Sequence, residues 1–398
     1  MKKSILTAII SLSLSLVAAS GAKAASFSFT KIVDSDADNS FGAPSLNNYG
    51  TTAFNVNNRN TTTGIFISNG INTKKIAEAG NKFFSFGNPS INDSGTVTFS
   101  GFLNKTPQEE ITDNGFYRAS GIFKSDGNYI TTVDNAPPYS RESYTFLGEP
   151  SINNLGTIAF PKRVEKSGFS TSNGIITASQ DGGYLIFEDQ YTEQPLRGVI
   201  NDGGVVAYTV DKAGGSSSEL VIVGETTNKL NSGRFLGLDL NNNGTVAFVS
   251  SEGADNYGLF KFDGTSTIPI ADRKTGFTGF DTVSLNDGGS IAVLGTEANG
   301  KRGIFSGTDS LKNKVVTVGD SLLSSTVTNL FFSRDGLNNS GQIAFLAELA
   351  NGHSGVFRAD IDNQITLQSA TKRVPEPSSI LGLLLIAGLG WKFLRSGR

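Results

Sequence analysis

One nine-residue alternation of polar and apolar positions returns seven times: LNNYGTTAF (46–54), INDSGTVTF (91–99), INNLGTIAF (152–160), INDGGVVAY (200–208), LNNNGTVAF (240–248), LNDGGSIAV (285–293) and LNNSGQIAF (337–345). The copies reduce to [LI]-N-x-x-G-x-[VIT]-[AT]-[FYV], and self-similarity at a fixed period marks a repeat architecture. Their spacing, about 48 residues on average, is the length of one four-stranded propeller blade. A second apolar run, GIF or a variant, follows at 64–66, 121–123, 174–176, 258–260, 303–305 and 355–357, with ELVIV (219–223) in the fourth unit. A third run follows in most units: KIAEAG (75–80), ITTVDN (130–135), IPIADR (268–273) and VVTVGD (315–320). An aromatic-glycine stretch such as FFSFGNPS (83–90) or YTFLGEPS (144–151) precedes the next asparagine. Four short strands per unit, without helical periodicity and with 47 glycines, predict an all-β meander.

The second strand of each unit points to a propeller. Val246 and Phe248 are two apart and share a face, while Ala247 points the other way. Val97/Phe99 with Thr98, Ile158/Phe160 with Ala159, and Ile343/Phe345 with Ala344 repeat the arrangement. One large apolar face and one small uncharged face suit a blade sandwiched between two neighbours. The expectation is a seven-bladed β-propeller of four-stranded blades over residues 25–372. A β-solenoid is the rival, although its coils are shorter and more even than these. Val293 replaces the aromatic in the sixth copy, which predicts looser packing there. TKIVD (30–34) resembles a fourth strand and should latch the ring, with ITLQSA (365–370) beside it. The array, residues 28–370, also resembles the tandem NxxGxxAF repeat proteins found with interchangeable surface-anchoring tails. That resemblance implies a repeat architecture and surface display, and no assigned activity.

The repeated turns are Asn47–Gly50, Asn92–Gly95, Asn153–Gly156, Asn201–Gly204, Asn241–Gly244, Asn286–Gly289 and Asn338–Gly341. Asparagine at the first position of a type I turn bonds the backbone two residues on, and glycine takes the left-handed conformation that closes the hairpin. Asp239-x-Asn241-x-Asn243-Gly244 also matches the first half of a calcium loop. Ser250 stands where that loop needs its bidentate glutamate, and Ser45, Ser90, Ser151, Val199, Ser284 and Gly336 stand where Asp239 does. The turn explains all seven copies and calcium explains one. No cofactor or metal is therefore expected, although DSDADNS (34–40), lacking the glycine and distal glutamate, leaves calcium open there.

The two ends speak of destination. MKKSILTAIISLSLSLVAASGAKA (1–24) has a positive start, an apolar stretch and a small-x-small cleavage site, the three parts of a secretory signal peptide. Residues 380–391 are apolar and are followed by Lys392, Arg395 and Arg398, the order of a short membrane helix with a cytoplasmic tail. Val374-Pro375-Glu376-Pro377, the apolar stretch and the basic tail together (373–398) resemble the PEP-CTERM sorting signal of exosortase-processed bacterial proteins. The resemblance implies a Gram-negative-type envelope and successive handling by signal peptidase and exosortase. It also implies transient membrane anchoring by the C-terminal helix, then attachment or release at the cell surface. Proteins of that class are often linked to extracellular polysaccharide.

Removing 1–24 and 378–398 leaves 27 basic against 36 acidic residues, a net −9. Such a chain, without a basic run, is a poor partner for nucleic acid. It has no cysteine and one histidine, His353, which removes the usual thiol and zinc chemistries. His353 lies in a glycine-rich turn and recurs in no other unit. No G-x-S-x-G elbow or H-E-x-x-H helix is present.

The long insertions, 100–120, 134–144, 161–173 and 211–219, should share the end of the ring opposite the N-x-x-G turns. Variable loops on one face of a repeat protein are often its binding face. The first two bring Phe116, Tyr117, Arg118, Tyr139, Arg141 and Tyr144 together between the second and third blades, residue types suited to sugar or protein contacts. Tolerated insertions without a ligand are the equal alternative. The reading favoured is a non-catalytic binding or structural component of the extracellular matrix or envelope, its partner an exopolysaccharide or an envelope protein. The alternative is a polysaccharide-active enzyme whose carboxylates meet in the channel.

Overall fold

Hydrogen bonding gathers the strands into seven antiparallel sheets, arranged as a seven-bladed β-propeller. The computed structural model describes residues 26–362 apart from 36–38, 59–63, 105–118, 137–142, 167–168, 180–181, 190–193, 212–216, 253–255 and 307–312. The fifth blade shows the plan. Its inner strand Arg234–Leu240 pairs with Val246–Glu252, then Asn256–Phe262, then the outer strand Thr267–Asp272. Blades four and six repeat it as Gln194–Ile200 to Thr227–Ser232 and Phe277–Leu285 to Asn313–Thr317. In the first three blades the inner strand is broken into two short pieces, such as Phe83–Phe86 and Ser90–Ile91, both paired with Val97–Leu103.

The alternating side chains dictate this stacking. Val246 and Phe248 pack on Leu220 and Ile222 of the fourth blade, while Ala247 and Val249 face Phe277, Phe280 and Phe305 of the sixth. A small residue on one face leaves room for the neighbour's rings, so each blade seats its own aromatics against a flat surface. Within a blade, the rings of strands two and three stack, as Phe99 on Phe123 at 5.9 Å and Phe248 on Phe260 at 5.6 Å. Each buried phenylalanine of this kind contributes about 1.5–3 kcal/mol. The sixth blade is not loose. Val293 is fully buried, in one cluster with Phe277, Phe280 and Phe305.

Ring closure falls to the N-terminal strand Phe27–Ser35. It is the outer strand of the seventh blade, paired antiparallel with Ser354–Ile361 from Phe27↔Ile361 to Ser35↔Ser354. The latch expected from TKIVD is therefore present, and its partner is the third strand of that blade. Residues 365–370, expected beside it, lie outside the described residues, as do 1–24 and 373–398. Among the described residues no helix is long and apolar enough to cross a membrane. In the third blade, the described part of the insertion 161–173 prolongs the strands Ile158–Lys166 and Phe169–Ser179.

Candidate functional site

The seven N-x-x-G turns converge on the axis at one end of the ring, where they line a small cavity of about 140 Å³. In every turn the glycine N–H donates to the asparagine carbonyl at 3.0–3.1 Å. The glycine φ values, 76–81°, are left-handed, which a residue with a Cβ adopts at a cost. The asparagine Oδ1 accepts the backbone N–H four residues on, at 2.8–3.0 Å in all seven copies. In three turns it also accepts the N–H two residues on, at 3.1 Å.

The other half of the same amide leaves the blade. Asn47 Nδ2 donates to the carbonyl of Asn92, Asn92 to Asn153, Asn153 to Asn201, Asn201 to Asn241, Asn241 to Asn286, Asn286 to Asn338, and Asn338 back to Asn47. These bonds, 2.9–3.2 Å, close a ring of seven around the axis, with every amide buried. A second ring uses the next residue: Asn48, Asp93, Asn154, Asp202, Asn242, Asp287 and Asn339. Each backbone N–H donates to the Oδ1 of its successor in the next blade, at 2.7–2.9 Å, and Asn339 returns to Asn48. Aspartate and asparagine alternate, so Asn154 donates its amide to both Asp93 and Asp202, and Asn242 to both Asp202 and Asp287. Three carboxylates thus sit in one mouth with amides between them, and like charges never adjoin. Charge-assisted bonds of this type exceed the ~1 kcal/mol of a neutral one.

One step deeper, a serine on the inner strand accepts the N–H that precedes the next blade's asparagine. Ser45 takes Ile91, Ser151 takes Ile200 and Ser284 takes Leu337. Val199 has no acceptor to offer Leu240. Asp239 compensates: its Oδ1 takes Leu240 N–H at 2.8 Å and its Oδ2 takes Leu285 N–H at 2.6 Å. One carboxylate does the work of two serines. Burial, then the charge of Asp335, push the Asp239 carboxyl well above the usual carboxylate range, against the two backbone bonds and Arg334.

Arg334, 13% exposed, reaches across from the seventh blade to donate to the Pro150 carbonyl of the third at 3.0 Å. Arg334 and Asp335 line both the cavity under the rings and a second of about 150 Å³ beyond it, with Asn88 and Glu149. The pair therefore divides the channel. Asn88 donates to Glu149 at 3.0 Å.

Of the residues singled out from sequence, the fourteen turn positions form this assembly. Phe116, Tyr117, Arg118, Tyr139 and Arg141, and the side chain of Tyr144, lie outside the described residues, as does Val374–Pro377. His353 is an exposed turn residue. The calcium-like Asp239 faces the channel and is spent on backbone N–H groups. The inter-blade amide bonds, the second ring and Arg334 went unforeseen. The alternation Asn48, Asp93, Asn154, Asp202, Asn242, Asp287, Asn339 was a signal in plain view, hidden by writing the repeat as N-x-x-G.

A prolyl endopeptidase structure is similar to this fold, with 12% identity over 82% of this chain and 50% of that one, TM-score 0.51. Prolyl oligopeptidase B from Galerina marginata is similar at 9% identity over 79% and 47%, TM-score 0.52. The β-propeller domain of the Trilobed protease from Pyrococcus furiosus aligns at 15% identity over 71% and 84%, TM-score 0.45. The chain spans about half the length of the two prolyl peptidases, and at these identities the likeness concerns the fold alone. No curated protein matches the chain. The model of a family of unknown function, DUF7453, matches residues 4–349, and the chain belongs to that family.

Proposed function

We propose that this family member is an exported, surface-sorted propeller serving as a binding or structural component of the extracellular matrix or envelope. Residues 1–24 direct export, and 373–398, with Val374-Pro375-Glu376-Pro377, direct sorting by exosortase. The observation that carries the non-catalytic reading is how the channel's ionisable groups are used. Both oxygens of Asp239 receive backbone N–H groups. Arg334 bonds a carbonyl on the far wall. Asp93, Asp202 and Asp287 are held by neighbouring blades. A general acid or base must exchange a proton with a substrate, and these carboxylate oxygens are occupied as acceptors of framework N–H groups.

One observation favours the second reading, a polysaccharide-active enzyme: a carboxyl with a raised pKa beside a second carboxylate in a channel is the pattern of an acid–base pair. Chromatography of residues 25–372 on the producer's exopolysaccharide separates the two, with retention and released sugars both measured. Retention without product supports the binding module. Product that disappears in Asp335→Asn while retention persists replaces it with the enzyme.

A further inference from the structure

Beside the apolar contact that Ile122 and Ala136 of the second blade make with Ile158, Phe160 and Ala178 of the third, the two blades leave space between them. A cavity of about 400 Å³ opens there on the face of the N-x-x-G turns, lined by Ser94, Lys124, Asp126, Tyr129, Asn154 and Leu155 among others. A second of about 400 Å³ continues from it down the side, sharing Lys124 and Thr131 and walled by Ile158, Phe160 and Ile176. Together they make one groove running between the blades.

Its mouth carries two of the most exposed large apolar side chains described, Tyr129 at 81% and Leu155 at 78%. Neither is there by looseness of the backbone. Asp126 Oδ1 accepts the N–H groups of Asn128 at 2.8 Å and Tyr129 at 3.3 Å, which fixes the turn that lifts the tyrosine. Leu155 follows Asn154, anchored on both Asp93 and Asp202. Between these lips lie hydroxyls, amides, one carboxylate and one ammonium; the second carboxylate of the groove, Asp134, is neutralised by Lys162 at 2.7 Å, so no charge is left uncompensated. The Lys124 ammonium makes no hydrogen bond or ion pair among the described residues.

We propose that this groove binds a neutral oligosaccharide. An aromatic ring with a polar tip offers a flat apolar face to the C–H side of a sugar at little entropic cost. Ser94, Thr131, Lys124 and Asp126 supply both donors and acceptors for hydroxyls. Nucleic acid would need clustered cations, and a peptide adding as a strand would use a sheet edge rather than a side-chain-lined cleft. The proposal rests on the binding reading above and names its ligand class and place.

The test is calorimetric titration of the exported chain with cellopentaose, laminaripentaose, maltopentaose and xylopentaose, with trigalacturonate as the charged control. At least one neutral pentaose binds. Tyr129→Ala, at a position too exposed to disturb folding, weakens it about tenfold. Tyr129→Phe keeps binding, and Thr131→Arg, which fills the groove where its two parts join, abolishes it. Absence of binding by every neutral pentaose, or binding unmoved in both Tyr129→Ala and Thr131→Arg, overturns the groove. Retention on whole exopolysaccharide that survives those two substitutions would leave the binding module standing and place its ligand on another face.

Discussion

Replacing Asn241 by alanine tests whether the amide ring holds the blades together. The side chain is buried; it accepts from Thr245 N–H at 2.9 Å and donates to the Asn286 carbonyl at 3.1 Å. Alanine orphans the half-buried Thr245 N–H and also releases the Asn243 N–H, a combined loss of about 1–3 kcal/mol. The Asn286 carbonyl keeps its turn bond to Gly289, so losing its inter-blade partner adds only about 1 kcal/mol. The sum is about 2–4 kcal/mol. For a domain of about 340 residues the unfolding entropy is about 0.7 kcal/mol/K, so Tm should fall by about 3–6 °C. Asn241→Asp sharpens the test. It is isosteric and keeps the acceptor, but its second oxygen faces a carbonyl unless protonated. The introduced carboxyl is then raised in the folded state, so its stability is highest below the ordinary aspartate value of about 3.9. That stability drains away as pH rises through the folded value. Thermal melts from pH 3.5 to 8 read both effects. Asn241→Ala melting within about 1 °C of the parent, or Asn241→Asp tracking Asn241→Ala at every pH, would refute the role assigned to the ring.

The remaining predictions concern neighbouring parts. Asp239→Ser should destabilise by about 1–3 kcal/mol, since Leu240 N–H loses its acceptor, and Val199→Ser in the same chain should recover most of it in chemical denaturation. Because the Asp239 carboxyl is raised, its contribution is full below the unfolded value of 3.8 and is lost as pH rises through the folded value. The double variant should lack that part of the pH profile. Deleting Phe27–Ser35 removes buried Ile32 and the contact of Phe29 with Phe345 at 6.1 Å, about 3–5 kcal/mol, and should open the seventh blade to limited proteolysis. Gly244→Ala meets nothing within 4 Å and should cost about 1 kcal/mol for its backbone alone. Gly50→Ala also pushes on Arg358, whose Nη1 lies 2.8 Å from the new Cβ and holds the Gly50 carbonyl, so its melting loss should be the larger.

Much of the ring could be read from the chain because blade packing is written locally. Val246-Ala247-Phe248 states in three letters which face is large and which is small, and the glycine of each turn states its own φ. What stayed hidden depends on partners in other repeats. The reach of Asn241 to Asn286, the crossing of Arg334 to Pro150, and the use of Asp239 to cover for Val199 are settled only when blades distant in sequence meet. The spare N-terminal strand was visible in TKIVD, but its partner was set by ring closure. The groove escaped notice because Tyr129 and Leu155 belong to different repeats, and neither departs from what a turn tolerates.

The second ring has a parity problem. Two letters placed alternately around an odd number of seats must somewhere put a letter beside its own kind. Here that happens once, and the pair is Asn339 with Asn48, the neutral letter rather than the charged one. It falls where the last blade meets the first. The like pair therefore works as an origin mark: counted from it, each blade has a number, and exchanging two neighbours anywhere between Asp93 and Asp287 would set aspartate against aspartate. The order of seven similar units is thus marked in a single column of the repeat.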